Sequence, residues 1–156
     1  VPLSQSPDAA TDLPFIDEHE MLVSAPALEV WRTLTKRMSR PQQGRGAIAF
    51  LLAAQPRRAS GTPLEEGATL PGFKVTESVP GRLLELTGQH RFSRYRLVLT
   101  LAEQPDRTLL RARTYARFPG LLGLVYRQLV IGSGGHRLVV IRMLRAVRDH
   151  AEKRAD

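Results

Sequence analysis

The feature that most constrains this chain is a change of hydrophobic period at Phe73, after which apolar and polar side chains alternate through four successive stretches. Phe73, Val75, Glu77 and Val79 share one register and Lys74, Thr76 and Ser78 the other, the pattern of a half-buried strand. Pro80-Gly81 makes a tight turn, and the stretch from Arg82 to Thr87 then sets Leu84 and Leu86 on one side. Tyr95, Leu97, Leu99 and Leu101 form a third apolar face before Pro105-Asp106 turns the chain again. In the fourth stretch Leu110, Ala112, Thr114, Ala116 and Phe118 alternate with Arg111, Arg113, Tyr115 and Arg117. The connections between these strands are too short to hold helices, so a parallel, doubly wound sheet is excluded and an antiparallel meander is expected.

Beyond Phe118-Pro119-Gly120 the period becomes helical, from Leu121 to about Arg154. Gly132-Ser133-Gly134-Gly135 interrupts it, and because each glycine weakens a helix by up to about 1 kcal/mol relative to alanine, a kink or a brief joint is predicted there. Past the joint, His136, Val140, Met143, Leu144, Val147 and Ala151 gather on one helix face, with Arg142, Arg145 and Asp149 on the other. Upstream of the strands, Asp17 to Val23 reads as extended chain. Leu28, Trp31, Leu34 and Thr35 then recur at helical spacing, with Ser24 suited to the N-cap and Pro26 to the first turn. An apolar patch from Ala47 to Ala54 has the length of two helical turns and sits between polar, Gly- and Pro-rich loops. Residues 1–14, with three prolines among Ser, Asp and Thr, read as a flexible N-terminal arm, and residues 15–156 as a single domain.

The composition removes several chemistries. Without cysteine there is no disulfide framework, thiolate metal site or cysteine nucleophile. The sequence also lacks HExxH, paired histidines at ligand spacing and the glycine-rich phosphate loops, so neither a metal nor a cofactor is expected. Ser133 lacks the strand-to-helix elbow that activates a nucleophilic serine and reads as structural. No apolar run reaches the roughly 20 residues a membrane span needs, no secretory signal pattern opens the chain, and the cytoplasm is the expected location. The formal net charge of +8 comes mostly from scattered arginine, densest at Arg137, Arg142, Arg145 and Arg148. A solvated helix face accounts for that cluster. It has none of the interleaved aromatics of a nucleic-acid groove, so no nucleic-acid partner is expected, while transient contact with an anionic membrane stays open. The oligomeric state also stays open, a homodimer included.

Two stretches carry a family resemblance. Val23-Ser24-Ala25-Pro26 leading to Val30-Trp31 resembles the first strand and helix start of the START-like superfamily, the SRPBCC proteins that include polyketide cyclases, aromatases and lipid-transfer domains. The run from Phe118 to Tyr126, with His136-Arg137 and Met143-Leu144, resembles a subgroup of uncharacterised bacterial members. The likeness extends over about Phe15 to Ala151. It implies an α+β helix-grip fold: a curved antiparallel sheet wrapped around a long C-terminal helix, with two short helices after the first strand. It also implies a cavity between sheet and helix for apolar or aromatic small molecules. The glycine-rich joint departs from an unbroken gripping helix.

The residues give this cavity some support of their own, since Ala112, Thr114 and Ala116 are small side chains on the inner face of one strand. Such a row either leaves room for a ligand or lets the helix pack closer. Six residues are candidates to line it. Glu77 shares the inward register, and Arg91 falls on that of Tyr95 and Leu97. The two form either a general-acid site or a structural ion pair. Tyr95, Thr114 and Tyr126 offer hydroxyls, Tyr126 equally serving as a packing residue. His136, at the edge of the buried helix face, either orients or protonates a ligand or is a core histidine with satisfied hydrogen bonds. The functional expectation is a carrier or sensor of a hydrophobic small molecule or lipid, with an enzyme of the cyclase, aromatase or dehydratase kind as the alternative.

Overall fold

The computed structural model describes residues 13–40 and 54–155. Most of the expected arm and nearly all of the expected helix at 47–54 lie outside the described residues. Strand β1 (Phe15–Val23) leads to helix α1 (Ala27–Ser39). Strands β2 (Thr69–Leu70), β3 (Phe73–Val79), β4 (Leu83–His90), β5 (Ser93–Gln104) and β6 (Arg107–Arg117) follow. They form one sheet in the order β1-β6-β5-β4-β3-β2, with every pairing antiparallel. The sheet is curved.

The C-terminal segment is helical in two pieces. Helix α2 (Gly120–Arg127) runs into a π turn (Gln128–Gly132), and helix α3 (Gly135–Ala155) starts after Gly134, whose φ of +75° suits glycine. The expected joint is therefore present. Beyond it α3 packs on the concave face of the sheet and against α1. Val140, Leu144, Val147 and Ala151 are buried there, on the face expected from their spacing. Leu84, Leu86, Leu99 and Leu110 rise from the sheet to meet them, together with Val30 and Leu34 of α1. These six side chains are wholly buried, and each contributes about 1.5–3 kcal/mol by leaving water.

Helix α1 differs in detail from expectation. Pro26 occupies its cap position and no side chain caps it, so Ser24 does not play that part. Two distant carboxylates serve the turn instead. Glu103 Oε1 accepts the Ala27 N–H at 3.4 Å, and Glu152 Oε1 accepts the Ser24 N–H at 2.9 Å, tying the start of α1 to β5 and to the end of α3. The buried stripe runs through Ala27, Val30, Trp31, Leu34 and Met38, and Leu28 faces solvent. Thr108 Oγ1 donates to the Ala25 carbonyl at 2.7 Å in the interior, satisfying the chain where it leaves β1. Among the described residues no helix is long and apolar enough to cross a membrane.

Two irregularities in the sheet reset which way side chains face. The register of β1 on β6 shifts between Phe15 and Asp17, and that of β3 on β4 shifts between Val75 and Glu77. Each is a bulge in which one extra residue opposes the partner strand, and beyond it the inward and outward positions exchange.

Candidate functional site

Past the joint, α3 does not close fully on the sheet, and a pocket of about 240 Å³ remains between the first turns of α3, the π turn and the ends of β4–β6. Its floor is Leu97 of β5 with Thr114 and Ala116 of β6. Those last two are the small inner-face residues whose size leaves room above the strand. The roof is Val130 and Ile131 of the π turn with Val140 and Met143 of α3. The lining is mainly apolar.

One end of the pocket is aromatic. The Tyr126 ring stacks on Phe92 with centroids 5.3 Å apart and meets His90 edge-on at 4.8 Å, while Tyr95 meets Phe73 edge-on at 5.3 Å. These contacts fasten α2 to the tip of the β4–β5 hairpin. Gly123 is buried at the same contact, where a Cβ would lie 2.8 Å from the Phe118 carbonyl carbon and 3.2 Å from the Phe92 carbonyl oxygen. The Tyr95 hydroxyl donates to the Gly72 carbonyl at 2.6 Å. Burial, with Tyr126 nearby, pushes its pKa up to about 12, so it acts as a neutral donor. Burial also raises the Tyr126 pKa and lowers that of His90. The Phe92 backbone N–H donates to His90 Nδ1 at 3.1 Å, which fixes the neutral tautomer with its proton on Nε2.

The other end is polar. His136, in the first turn of α3, brings Nε2 within 3.1 Å of Thr114 Oγ1 and 3.5 Å of Asp17 Oδ1. Asp17 reaches this position because the β1 bulge turns it towards the concave face opposite Thr114. Its Oδ2 lies 3.2 Å from His19 Nε2, and its Oδ1 is buried without a hydrogen bond. One nitrogen of His136 faces both oxygens, so the imidazole does not bridge carboxylate and hydroxyl as a nucleophile relay requires. The arrangement can hold or move one proton at His136 Nε2, at the pocket wall. Among the described residues no group of three His, Cys, Asp or Glu side chains is placed to hold a metal ion.

Four of the six expected residues, Tyr95, Thr114, Tyr126 and His136, line the pocket together. The other two do not. The bulge after Val75 puts Glu77 opposite Glu85, on the solvent side of the sheet, and Glu77 is exposed. Arg91 is exposed in the β4–β5 turn, with its guanidinium 6.0 Å from the Phe92 ring centroid. Counting six residues along β4 from Glu85, the two are about 20 Å apart, and no ion pair joins them. The expected Glu77–Arg91 pair is corrected on both counts. Asp17, His90 and Phe92 were not anticipated. The alternation of hydrophobic residues does not reveal Asp17, whose direction depends on the bulge, and His90 ends β4 while Phe92 lies in the hairpin turn, which carries no periodic signal.

No protein-family model matches the chain, and no curated protein matches it. Solved structures do. CalU16 from Micromonospora echinospora is 19% identical, over 87% of this chain and 83% of that one, with a TM-score of 0.50. Protein CV1439 from Chromobacterium violaceum is 16% identical over 89% and 99% of the two chains, with a TM-score of 0.56. StfQ, a di-domain ARO/CYC from the steffimycin biosynthetic pathway, is 14% identical over 93% of this chain and 53% of its own, with a TM-score of 0.56. The six-stranded antiparallel sheet closed by a long C-terminal helix is the helix-grip fold that these proteins share.

Proposed function

We propose that the chain binds a hydrophobic small molecule, as a carrier or sensor in the cytoplasm, in the pocket beneath the α2–α3 joint. The observation that carries this reading is the pocket itself, with an apolar floor and roof between an aromatic end and a polar end. Its volume lies just below the roughly 300–1,000 Å³ of typical ligand sites, which favours a one- or two-ring molecule over a diacyl lipid. Tyr126 and Tyr95 present ring faces and edges to such a ligand, and His136 with Thr114 offers one polar anchor to orient it. Native mass spectrometry of the chain purified from its own host tests occupancy. Displacement of the fluorophore N-phenyl-1-naphthylamine tests the location. Ala116→Phe fills the floor and is expected to abolish fluorophore binding while the fold persists. Unchanged binding in that variant places the probe elsewhere and removes the proposal.

A second reading is favoured by the His136–Asp17 contact on the pocket wall together with the likeness to an aromatase/cyclase. In it the pocket folds a reactive chain and His136 moves a proton during ring closure or dehydration. Single-turnover assays with a short poly-β-ketone thioester, comparing the wild type with His136→Ala and Asp17→Asn, decide it. Product distributions identical in all three would leave binding alone.

A further inference from the structure

Helix α2 and the π turn are apolar apart from Arg127 and Gln128, yet only one apolar stripe is used by the fold. Gly123, Tyr126 and Val130 face the hairpin tip and the pocket. The opposite side presents Leu121, Leu122 and Leu129, which are 82%, 70% and 67% exposed. Leu124 and Val125 of α2 are exposed too, and Leu138 and Val139 on the first turn of α3 are a further exposed pair across the joint. Proteins in water rarely leave an apolar patch of this extent uncovered.

The charge around the patch identifies what covers it. From Gly120 to Val140, the stretch that carries the patch, the charged residues are Arg127 and Arg137, with no acidic residue. Arg127 closes α2, Arg137 opens α3 beside Leu138, and Arg91 sits on the hairpin tip that Tyr126 packs against, all three exposed. Two copies meeting through this face would bring like-charged rims together. The patch consists mainly of Leu and Val, with Gln128 beside them, and has none of the aromatic anchors typical of protein interfaces. Aliphatic side chains between arginines are what an interfacial helix offers to anionic lipid. We infer that the outer face of α2, the π turn and the first turn of α3 docks on an anionic bilayer, laying the roof of the pocket against the membrane.

The experiment is co-sedimentation of the full chain, without added ligand, with vesicles of phosphatidylcholine alone or containing about 30% phosphatidylglycerol. Binding at least about tenfold stronger to the anionic vesicles is expected. Leu121→Asp with Leu122→Asp, and separately Arg127→Glu with Arg137→Glu, should each weaken it by about tenfold or more. All four positions are exposed, and an unchanged urea midpoint confirms that the variants fold. Undiminished binding of the leucine variant shows charge attraction alone and overturns the inference. So does a lipid-free protein that sediments as a dimer and becomes a monomer in the leucine variant, which shows the face already covered by a second copy. No ligand is involved, so failure here leaves the pocket reading intact.

Discussion

Gly88 holds the aromatic end of the pocket in place by having no side chain. It stands directly opposite Tyr95 in the β4–β5 ladder, and the Tyr95 ring lies across it. A Cβ at Gly88 would fall 2.0 Å from the Gly72 carbonyl oxygen and 2.6 Å from the tyrosine ring. That same carbonyl accepts the Tyr95 hydroxyl. Gly88→Ala must therefore push the ring off the strand and break the hydrogen bond together. The lost bond costs about 1 kcal/mol and the forced overpacking about 1–3 kcal/mol. Reduced freedom of the unfolded chain returns about 0.4–1 kcal/mol. The expected net loss is about 2 kcal/mol, or a Tm lowered by about 4–8 °C in a domain of this size. Urea denaturation followed by circular dichroism measures it. Tyr95→Phe, which removes only the hydroxyl, should lose about 1 kcal/mol and serves as the comparison. A Gly88→Ala protein within about 0.5 kcal/mol of the wild type would show that the ring does not depend on the missing side chain, and the reasoning would fail.

Two further outcomes are expected. The native pKa of His90 lies below its ordinary value of 6.5, because burial disfavours its charged form. The unfolded chain therefore takes up a proton before the native state does. Stability from this group is intact above pH 6.5 and falls as pH drops from there towards the native value, by at most about 1.4 kcal/mol per pH unit. His90→Phe should flatten that part of the urea-midpoint profile, and an identical profile would contradict the assignment. Thr108→Val leaves the interior Ala25 carbonyl without its donor and should lower stability by about 1–2 kcal/mol, whereas Thr108→Ser should retain most of it.

Periodicity was enough to read the architecture because the sheet and α3 each bury one continuous face. The rows through Leu84 and Leu86, through Leu99 and Leu101, and through Ala112 and Ala116 all face the core as their alternation demands. The glycines at 132–135 likewise mark the joint between the helical pieces. Parity failed where a single inserted residue reverses it, which is why Glu77 was read as facing the pocket and Asp17 was missed. The first turn of α1 was misread for a different reason. Pro26 holds the cap position, and the carboxylates that accept the N–H groups of this turn, Glu103 and Glu152, come from far along the chain, where a local rule favouring Ser24 has no access to them. The two-residue strand β2 is too short to show any period.

The margins of the sheet bear on how the chain tolerates its greasy helical surface. At one margin β1 carries Asp17, Glu18, His19 and Glu20 in succession, with Glu18 and Glu20 ion-paired to Arg113 and Arg111 of the neighbouring strand. At the other, β2 is only two residues long. Neither offers a long, uncharged template on which a foreign strand can add. The exposed leucines sit instead on helical backbone whose amides are internally paired, so molecules that collide through them find no ladder to extend. Chance encounters in a crowded solution should stay reversible, since among the described residues there is no long uncharged edge strand from which fibrillar growth can begin.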